Sequence, residues 1–270
     1  MKKNLVDISL TELREFIKNL ELSSHFNVSG LSLISVKLRL QFLILQNQFT
    51  GFSSFYKFYL ENEDYRVSVN LNIVVQGNEL FRDAEHWDIF VNKIKSSPTT
   101  INICLFESGN FYDTVTLLIC LERFELSHKI NLTVVNLVNN YPLRLIYEFT
   151  DKDMEMGIIN FSALKSSNTL TDFIKKHSNK YHYIVSNQLT INALSIEDLL
   201  ISDFKYDALI ARNITLNYNF VEHEKIFNNY LLILKSKGVL FTGNKEGFKW
   251  CSQFKSLTYT NKSIPIYQKL

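Results

Sequence analysis

Apolar residues recur every three or four positions through roughly the first 75 residues, which is the period of amphipathic helices. Ser9 and Glu12 have the spacing of a capping box, so a helix is predicted to begin there. Its apolar face is predicted to carry Leu10, Leu13, Ile17 and Leu20. Two further helices are predicted over 33–45 and 52–59, and the aromatic stripe of the second is typical of a core rather than of a ligand site.

The period changes near Pro98. Short apolar runs of strand length alternate from there with helical patterns, and Asp83 is predicted to cap a helix just before them. The strands are predicted at 100–106, 130–137, 206–211 and 238–242, and the helices at 111–124, 143–149 and 222–235. This alternation indicates a parallel sheet covered on both faces. The sequence therefore predicts an α/β protein, with a small helical domain over 1–80 and a Rossmann-like, doubly wound domain over 81–270.

Composition narrows the possible functions. Of the 270 residues, 46% are hydrophobic and 21% are charged, which is typical of a folded protein and excludes a disordered chain. The 29 basic and 27 acidic residues leave a formal charge of +2 and are mixed along the chain, so no nucleic acid is expected as a partner. No apolar run has the length of a membrane span and no targeting signal is visible. A cytoplasmic location without membrane insertion is therefore expected.

The residue types that commonly bind metals show no ligand pattern. Cys104, Cys120 and Cys251 are widely spaced and form no CxxC pair, and the six histidines have no paired ligand spacing. The sequence therefore predicts no metal site, and the three thiols are predicted to be reduced and packed in the core.

Candidate chemistry lies where predicted strands end, because ligands of parallel α/β sheets bind outside the carboxyl ends of the strands. The loop after the first strand contains Gly109 and Asn110, and the second strand closes with Asn136. Nucleoside-binding domains commonly place an acid at the latter position to accept hydrogen bonds from the ribose. Because a neutral hydrogen bond contributes about 0.5–1.5 kcal/mol and a charged one about 1.5–3 kcal/mol, asparagine weakens ribose binding without preventing it.

Three short segments are weak signals individually, but together they occur in the order of the motifs of one protein family. They resemble motifs of the CheR family of chemotaxis-receptor methyltransferases. Asn78-Glu79-Leu80-Phe81-Arg82-Asp83 corresponds to Thr-x-Phe-Phe-Arg-Asp of that family, and the segment 206–218 corresponds to Phe-Asp-x-Ile-x-x-Arg-Asn-x-x-x-Tyr-Phe. The segment 238–246 corresponds to Gly-x-Leu-x-x-Gly-x-x-Glu. The resemblance implies a class I methyltransferase domain with a small inserted β-hairpin, preceded by a helical domain.

The CheR family uses S-adenosylmethionine to methylate glutamate side chains of chemoreceptors, and the resemblance implies a corresponding site. The implied catalytic residues are Arg82, Arg212 and Asn217, and the implied cofactor-binding residues are Gly109, Asn110, Asn136, Asn192 and Asn213. The chain departs from the family at several of them. The family loop Cys-Ser-Thr-Gly-Glu-Glu-Pro-Tyr-Ser retains only its glycine over 106–114, and the tyrosine that approaches the reacting methyl is replaced by Asn217, with Tyr218 beside it.

These departures lead to one hypothesis and leave two alternatives. The first hypothesis is a methyltransferase-fold protein with an eroded pocket, which binds S-adenosylmethionine weakly or not at all and acts by binding a protein partner such as a chemoreceptor or signalling protein. The second is an active glutamate methyltransferase in which Arg82 and Arg212 orient a carboxylate. The third is an interaction protein in which 181–185 and 188–194 form a hairpin that docks a peptide by strand addition.

Overall fold

The computed structural model describes most of the chain. The described residues are 6–23, 30–74, 79–97, 99–107, 111–136, 146–164, 166–186, 189–194, 196–246, 248–260 and 264–270. The helices are α1 (Leu10–Ser23), α2 (Leu33–Gln46), α3 (Phe52–Glu61), α4 (Glu63–Val74), α5 (Ala84–Ile94), α6 (Tyr112–Arg123), α7 (Asp151–Phe161), α8 (Leu170–Phe173), α9 (Ile196–Ile201) and α10 (Phe220–Ile233). The strands are β1 (Ile101–Glu107), β2 (Ile130–Asn136), β3 (Ile146–Phe149), β4 (Lys175–His177), β5 (Lys180–Ile184), β6 (Thr190–Leu194), β7 (Tyr206–Ala211), β8 (Leu234–Thr242), β9 (Leu257–Tyr259) and β10 (Ile266–Lys269).

The chain divides into two compact units. One unit comprises Met1–Gln76 and Thr215–His223, and the other comprises Gly77–Ile214 and Glu224–Leu270. The first division lies close to the domain boundary that the sequence predicts at 80/81. No local pattern in the sequence indicates that the short segment Thr215–His223 packs with the N-terminal residues.

The first unit contains the helices α1 to α4 around an aromatic core. The predicted capping box is confirmed, because the backbone N–H of Ser9 donates to Glu12 Oε2 at 2.8 Å and that of Glu12 donates to Ser9 Oγ at 3.3 Å. The aromatic stripe is core as predicted, since Phe55 and Tyr59 are fully buried. The prediction that Leu10 lies on the buried face of α1 is wrong, because Leu10 is 51% exposed. Phe16 of the same helix is buried instead.

Thr215–His223 joins the first unit through backbone pairing. Tyr218 forms an isolated antiparallel bridge with Leu31, and the N–H of Asn219 donates to the carbonyl of Gly30 at 2.7 Å. A side chain at Gly30 has no room, because a Cβ there would lie 2.3 Å from Cγ of Glu222. The absence of a side chain at Gly30 therefore permits the close approach of this segment.

The second unit contains a seven-stranded sheet in the order β6-β2-β1-β7-β8-β10-β9. The strands from β6 to β8 pair in parallel, and β10 is antiparallel to both of its neighbours. Side chains of β1 alternate between two cores: Ile103 contributes to one and Cys104 to the other. The predicted α/β class, with a mostly parallel sheet covered on both faces, is therefore confirmed.

A separate three-stranded antiparallel sheet has the order β3-β5-β4. The predicted hairpin between 181–185 and 188–194 is wrong, because β5 pairs with β3 and β4 while β6 pairs in parallel with β2. Two strands that follow closely in sequence favour a hairpin, yet the outer edge of β2 carries backbone groups that also need partners, and β6 satisfies them. The small hairpin of this unit is formed by β4 and β5 instead.

The helix predicted over 143–149 is also wrong in its second half. Residues 146–149 form strand β3, in which exposed Ile146 and Glu148 alternate with buried Tyr147 and Phe149. This is the period of a strand with one buried face, and four residues are too few to distinguish it from a helix in the sequence. The residues 143–145 lie outside the described part of the chain.

Two further predictions from the sequence concern the state of the three cysteines and the presence of membrane-spanning helices. Cys104, Cys120 and Cys251 are free and buried, as predicted, and burial raises the pKa of the Cys120 thiol to about 12. Over the part of the chain described here, every helix is too short or too polar to cross a bilayer.

Candidate functional site

The carboxyl ends of the central strands form the edge where ligands of such sheets bind. The strand order reverses between β1 and β7, which is the topological switch point. Arg212 follows β7 directly, Gly243 follows β8, and α6 begins shortly after β1. Three segments that are far apart in sequence therefore meet at this edge.

Arg212 is the most enclosed charged residue of this edge. Its side chain is 0% exposed, and its Nη2 donates to Asp83 Oδ2 at 2.6 Å while its Nη1 donates to Asp113 Oδ1 at 3.2 Å. The guanidinium carbon lies 4.9 Å from the ring centroid of Trp87 and 5.1 Å from that of Phe241. Two aromatic rings and two carboxylates thus surround the cation, and we call these five residues the Arg212 cluster.

The side chain of Asp83 pairs with Arg212 and does not cap helix α5. It occupies the position before α5, but its side chain makes no capping hydrogen bond and its φ of 54° is left-handed. Its second oxygen, Oδ1, accepts a hydrogen bond from Nδ2 of Asn244 at 3.1 Å. The capping role that the sequence predicts for Asp83 is therefore wrong, because the buried cation at Arg212 needs the carboxylate.

Asp113 is the second carboxylate of the cluster. Burial raises the pKa of Asp113, and the positive charges of Arg212 and Arg82 act against that rise. Arg82 is only partly buried, and its carbonyl accepts a hydrogen bond from the indole N–H of Trp87 at 3.2 Å. Because Asp83 lies closer to the guanidinium than Asp113 does, we assign Asp83 as the principal counter-charge of Arg212.

Strained backbone surrounds the cluster. Phe81, Asp83, Phe111 and Asn213 all have left-handed φ values between 54° and 57°. For a bulky residue such as phenylalanine this conformation is unfavourable by about 1–2 kcal/mol, and it persists only where the surrounding structure imposes it. Such strain clusters at functional sites, so this edge remains the candidate site of the second unit.

Asn213 and Gly243 bring the ends of β7 and β8 together. A Cβ at Gly243 would lie 2.5 Å from Oδ1 of Asn213 and 2.9 Å from its backbone nitrogen. The N–H of Gly243 donates to Oε2 of the buried Glu246 at 2.7 Å. The glycine, and not another small residue, is thus required by the close approach of two chain segments.

We expect Gly243→Ala to lower the free energy of unfolding by at least about 1 kcal/mol, because the new methyl group overlaps Asn213 and the backbone must shift. Urea unfolding followed by tryptophan fluorescence measures this change. Both tryptophans of the chain, Trp87 and Trp250, lie in the second unit, so the signal reports on that unit alone. A variant as stable as the wild type would contradict the close approach.

His86, in the first turn of α5, lies near the same cluster. Burial lowers the pKa of His86, the charge of Asp83 raises it and that of Arg212 lowers it. A histidine whose pKa is lower in the folded state stabilises the fold above its unfolded pKa of about 6.5, and this contribution is lost as the pH falls through the folded pKa. We therefore expect His86→Gln to lose less stability than the wild type between about pH 7.5 and pH 5.5 in urea unfolding. An equal loss in both proteins would contradict this.

Glu107, the last residue of β1, is a buried carboxylate outside the set of site residues predicted from the sequence. Its Oε2 accepts hydrogen bonds from the N–H of Thr114 at 3.1 Å and from Thr114 Oγ1 at 2.8 Å. It therefore holds the start of α6 against the end of β1. The sequence does contain a signal, because an acid at the end of the first strand of a parallel sheet lies at the ligand-binding edge. Asp113, early in the following helix, carries the same signal and was also missed.

The structure brings together only part of the predicted site. Arg82, Arg212 and Asn213 lie at the carboxyl edge, whereas Gly109 and Asn110 lie outside the described residues. Asn136 ends β2 opposite Glu107, and only its backbone is described. Asn192 is exposed in the middle of β6, opposite Thr133, and not at a strand end.

Asn217 belongs to the first unit, whereas Arg82 and Arg212 belong to the second. It ends a 3-10 turn, Thr215–Asn217, that packs with the first unit, and only its backbone is described. The role that the resemblance implies for Asn217 therefore stays a prediction.

The described carboxylates at this edge are already engaged by the protein. Asp83, Glu107 and Asp113 each already accept hydrogen bonds from protein donors. The cation of Arg212 is likewise enclosed, so its guanidinium does not reach a ligand carboxylate in this arrangement. Within the described ranges, no group of three histidine, cysteine or acidic side chains is placed to hold a metal ion.

Comparison with known proteins gives structural similarity without a family. No family model matches the chain, and no curated protein matches it. Similar solved structures include PKMT2 from Rickettsia typhi, with 18% identity over 58% of this chain and 24% of that chain at a TM-score of 0.29. The calicheamicin-biosynthesis methyltransferase CalO1 in its SAH-bound form is 11% identical, over 59% of this chain and 34% of that chain, with a TM-score of 0.29. A proposed O-methyltransferase from Nostoc punctiforme is 9% identical, over 86% of this chain and 48% of that chain, with a TM-score of 0.31. The chain thus spans about a quarter to a half of these structures, and the similarity adds nothing to the strand order described above.

Proposed function

We propose that the second unit is a methyltransferase-like domain of CheR type that binds S-adenosylmethionine weakly or not at all and acts in the cytoplasm by binding a protein partner. The observation that carries this proposal is the Arg212 cluster. The arginine that the resemblance assigns to carboxylate binding is fully buried and already paired with Asp83 and Asp113. On this proposal, the internal ion pair stands where the CheR family would place a ligand contact.

The sheet supports the methyltransferase part of the proposal. Numbered along the chain within the large sheet, its strands have the order 3-2-1-4-5-7-6, and the seventh is antiparallel to the fifth. The first five strands follow the Rossmann order, and the reversed strand is expected of a class I methyltransferase rather than of a dinucleotide-binding domain. The scaffold that would present a cofactor is therefore intact.

The charges at the switch point support weak cofactor binding. S-adenosylmethionine carries a sulfonium cation and ribose hydroxyls, which carboxylates recognise best. Asn136 replaces the acid at the end of β2, and the nearby carboxylates Asp83 and Asp113 are occupied by Arg212. If each lost contact costs about 1–2 kcal/mol, two or three of them weaken binding by about two to three orders of magnitude.

A protein partner is proposed because the CheR family acts on chemoreceptors. The antiparallel sheet offers a suitable surface, since β4 lies at its edge and all three of its residues are exposed. An exposed edge strand can accept an extended peptide through main-chain hydrogen bonds. The partner would accordingly be a chemoreceptor or another signalling protein.

The test combines a methyl-transfer assay with a binding assay on the same chemoreceptor fragment. Radiolabelled S-adenosylmethionine is incubated with the full chain and the fragment, with an active methyltransferase of the CheR family as a positive control. We expect binding of the fragment without incorporation of label. Incorporation by this chain would contradict the proposal and establish a working glutamate methyltransferase, while failure to bind the fragment would remove the proposed partner.

A further inference from the structure

A recess with a volume of about 330 Å³ lies at the amino edge of the large sheet, at the opposite end of the strands from the Arg212 cluster. The end of α5, the starts of β1 and β7, and strands β8 and β10 surround it. Its lining is mainly polar and includes three lysines, Lys93, Lys235 and Lys237, with a single carboxylate, Asp207. All of these residues belong to the second unit.

Both oxygens of the carboxylate in the recess accept hydrogen bonds from protein donors. Asp207 Oδ1 accepts from Nζ of Lys235 at 2.8 Å, and its Oδ2 accepts from the backbone N–H of Asn102 at 2.9 Å and from Asn102 Nδ2 at 3.3 Å. Lys235 and Asp207 therefore neutralise each other, and the charge of the recess is left to the other two lysines.

Lys93 and Lys237 are the other two cations of the recess. Among the residues that the structure describes, no carboxylate lies within ion-pairing distance of either ammonium group. Nζ of Lys93 donates to Oε1 of Gln268 at 3.5 Å. The recess therefore presents two positive charges that an anion would neutralise.

An irregularity in β8 places Lys237 at the recess. Tyr206 pairs with Leu234 and Ala208 pairs with Val239, so β8 contains extra residues at this point. The φ of Lys237 is 62°, and a Cβ at Gly238 would lie 2.8 Å from the carbonyl oxygen of Lys235. This tight bulge is a defined backbone feature and not a loose loop, and bulges of this kind re-aim the side chains they carry.

We propose that this recess binds a small phosphate-containing anion of pyrophosphate size. Lysine ammonium groups are point-charge ligands for phosphate, and serine hydroxyls supply neutral donors. Ser96 and Ser97 line the recess, and their hydroxyls make long bonds: that of Ser96 to the carbonyl of Lys93 at 3.3 Å, and that of Ser97 to the carbonyl and the hydroxyl of Thr99, both at 3.4 Å. The volume exceeds what one phosphate group fills, which favours a diphosphate or a phosphorylated small molecule. This site is independent of the proposed loss of cofactor binding.

Isothermal titration of the full chain with inorganic pyrophosphate at low salt tests the proposal. The wild type is expected to bind, and the double variant Lys93→Gln/Lys237→Gln is expected to bind about tenfold more weakly, because two ion pairs are lost. Lys152→Gln is the matched control, since Lys152 is an exposed lysine on α7 in the same unit. It is expected to bind like the wild type.

A second arm identifies the source of the phosphate. Sedimentation with phosphatidylcholine vesicles, with and without phosphatidic acid, reports whether a lipid headgroup can occupy the recess. Binding of pyrophosphate alone supports the site with a soluble ligand, and binding of both supports it with a headgroup. Absence of pyrophosphate binding by the wild type, or equal binding by the wild type and the double variant, would overturn the proposal.

Discussion

Arg212→Met is expected to lower the free energy of unfolding of the second unit by about 3–5 kcal/mol. The substitution removes the guanidinium that Asp83 and Asp113 share and leaves their partly buried charges without it. Methionine fills much of the space between Trp87 and Phe241, so the loss reports on charge more than on volume. Urea unfolding followed by tryptophan fluorescence measures it.

Two further variants make this result specific. Arg212→Lys keeps the charge but loses the planar fork that reaches both carboxylates, and we expect an intermediate loss. Lys152→Met removes an exposed cation of the same unit and is expected to change stability by less than about 0.5 kcal/mol. If Arg212→Met were as stable as the Lys152 variant, the buried cluster would not hold this edge together.

The second large effect is expected for Asp83→Asn, which should cost about 1.5–3 kcal/mol, the usual contribution of a charge-assisted hydrogen bond. Asparagine is as good a helix cap as aspartate and tolerates the left-handed φ of 54° at this position. The substitution therefore leaves a capping role intact and removes only the counter-charge of Arg212. The same unfolding measurement distinguishes the two roles.

Asp151→Asn is the control for that experiment. Asp151 lies 3.4 Å from Lys176, and both side chains are more than half exposed, so this ion pair should contribute less than about 1 kcal/mol. A loss at Asp83 no larger than that at Asp151 would show that Asp83 acts as a cap, as the sequence predicts, and not as a buried ion-pair partner.

The main sheet was predictable because its signals are local. The strands β1, β2, β7 and β8 are apolar runs buried on both faces, and the helices between them have clear periods. The errors fell where the local pattern is ambiguous. Residues 146–149 are too few to show the period of a strand. The sequence favours pairing of β6 with the preceding strand β5, whereas β6 pairs with β2.

The candidate site was less predictable because its geometry depends on distant partners. The sequence places Arg212 and Asn213 at the end of a predicted strand, but nothing local in it indicates that Arg212 pairs with Asp83, 129 residues away. A helix-capping position and an ion-pair position look identical in the sequence when the residue is aspartate. The structure decides between them, because the side chain of Asp83 makes no capping hydrogen bond and pairs with Arg212.

The most direct test of the account is calorimetric titration of the purified full chain with S-adenosylmethionine and with its demethylated product. Because Arg212 is enclosed and the acid at the end of β2 is absent, we expect binding at least about a hundredfold weaker than that of an active methyltransferase of the CheR family measured alongside. Affinity equal to that of the active enzyme, or cofactor retained through purification, would contradict the account.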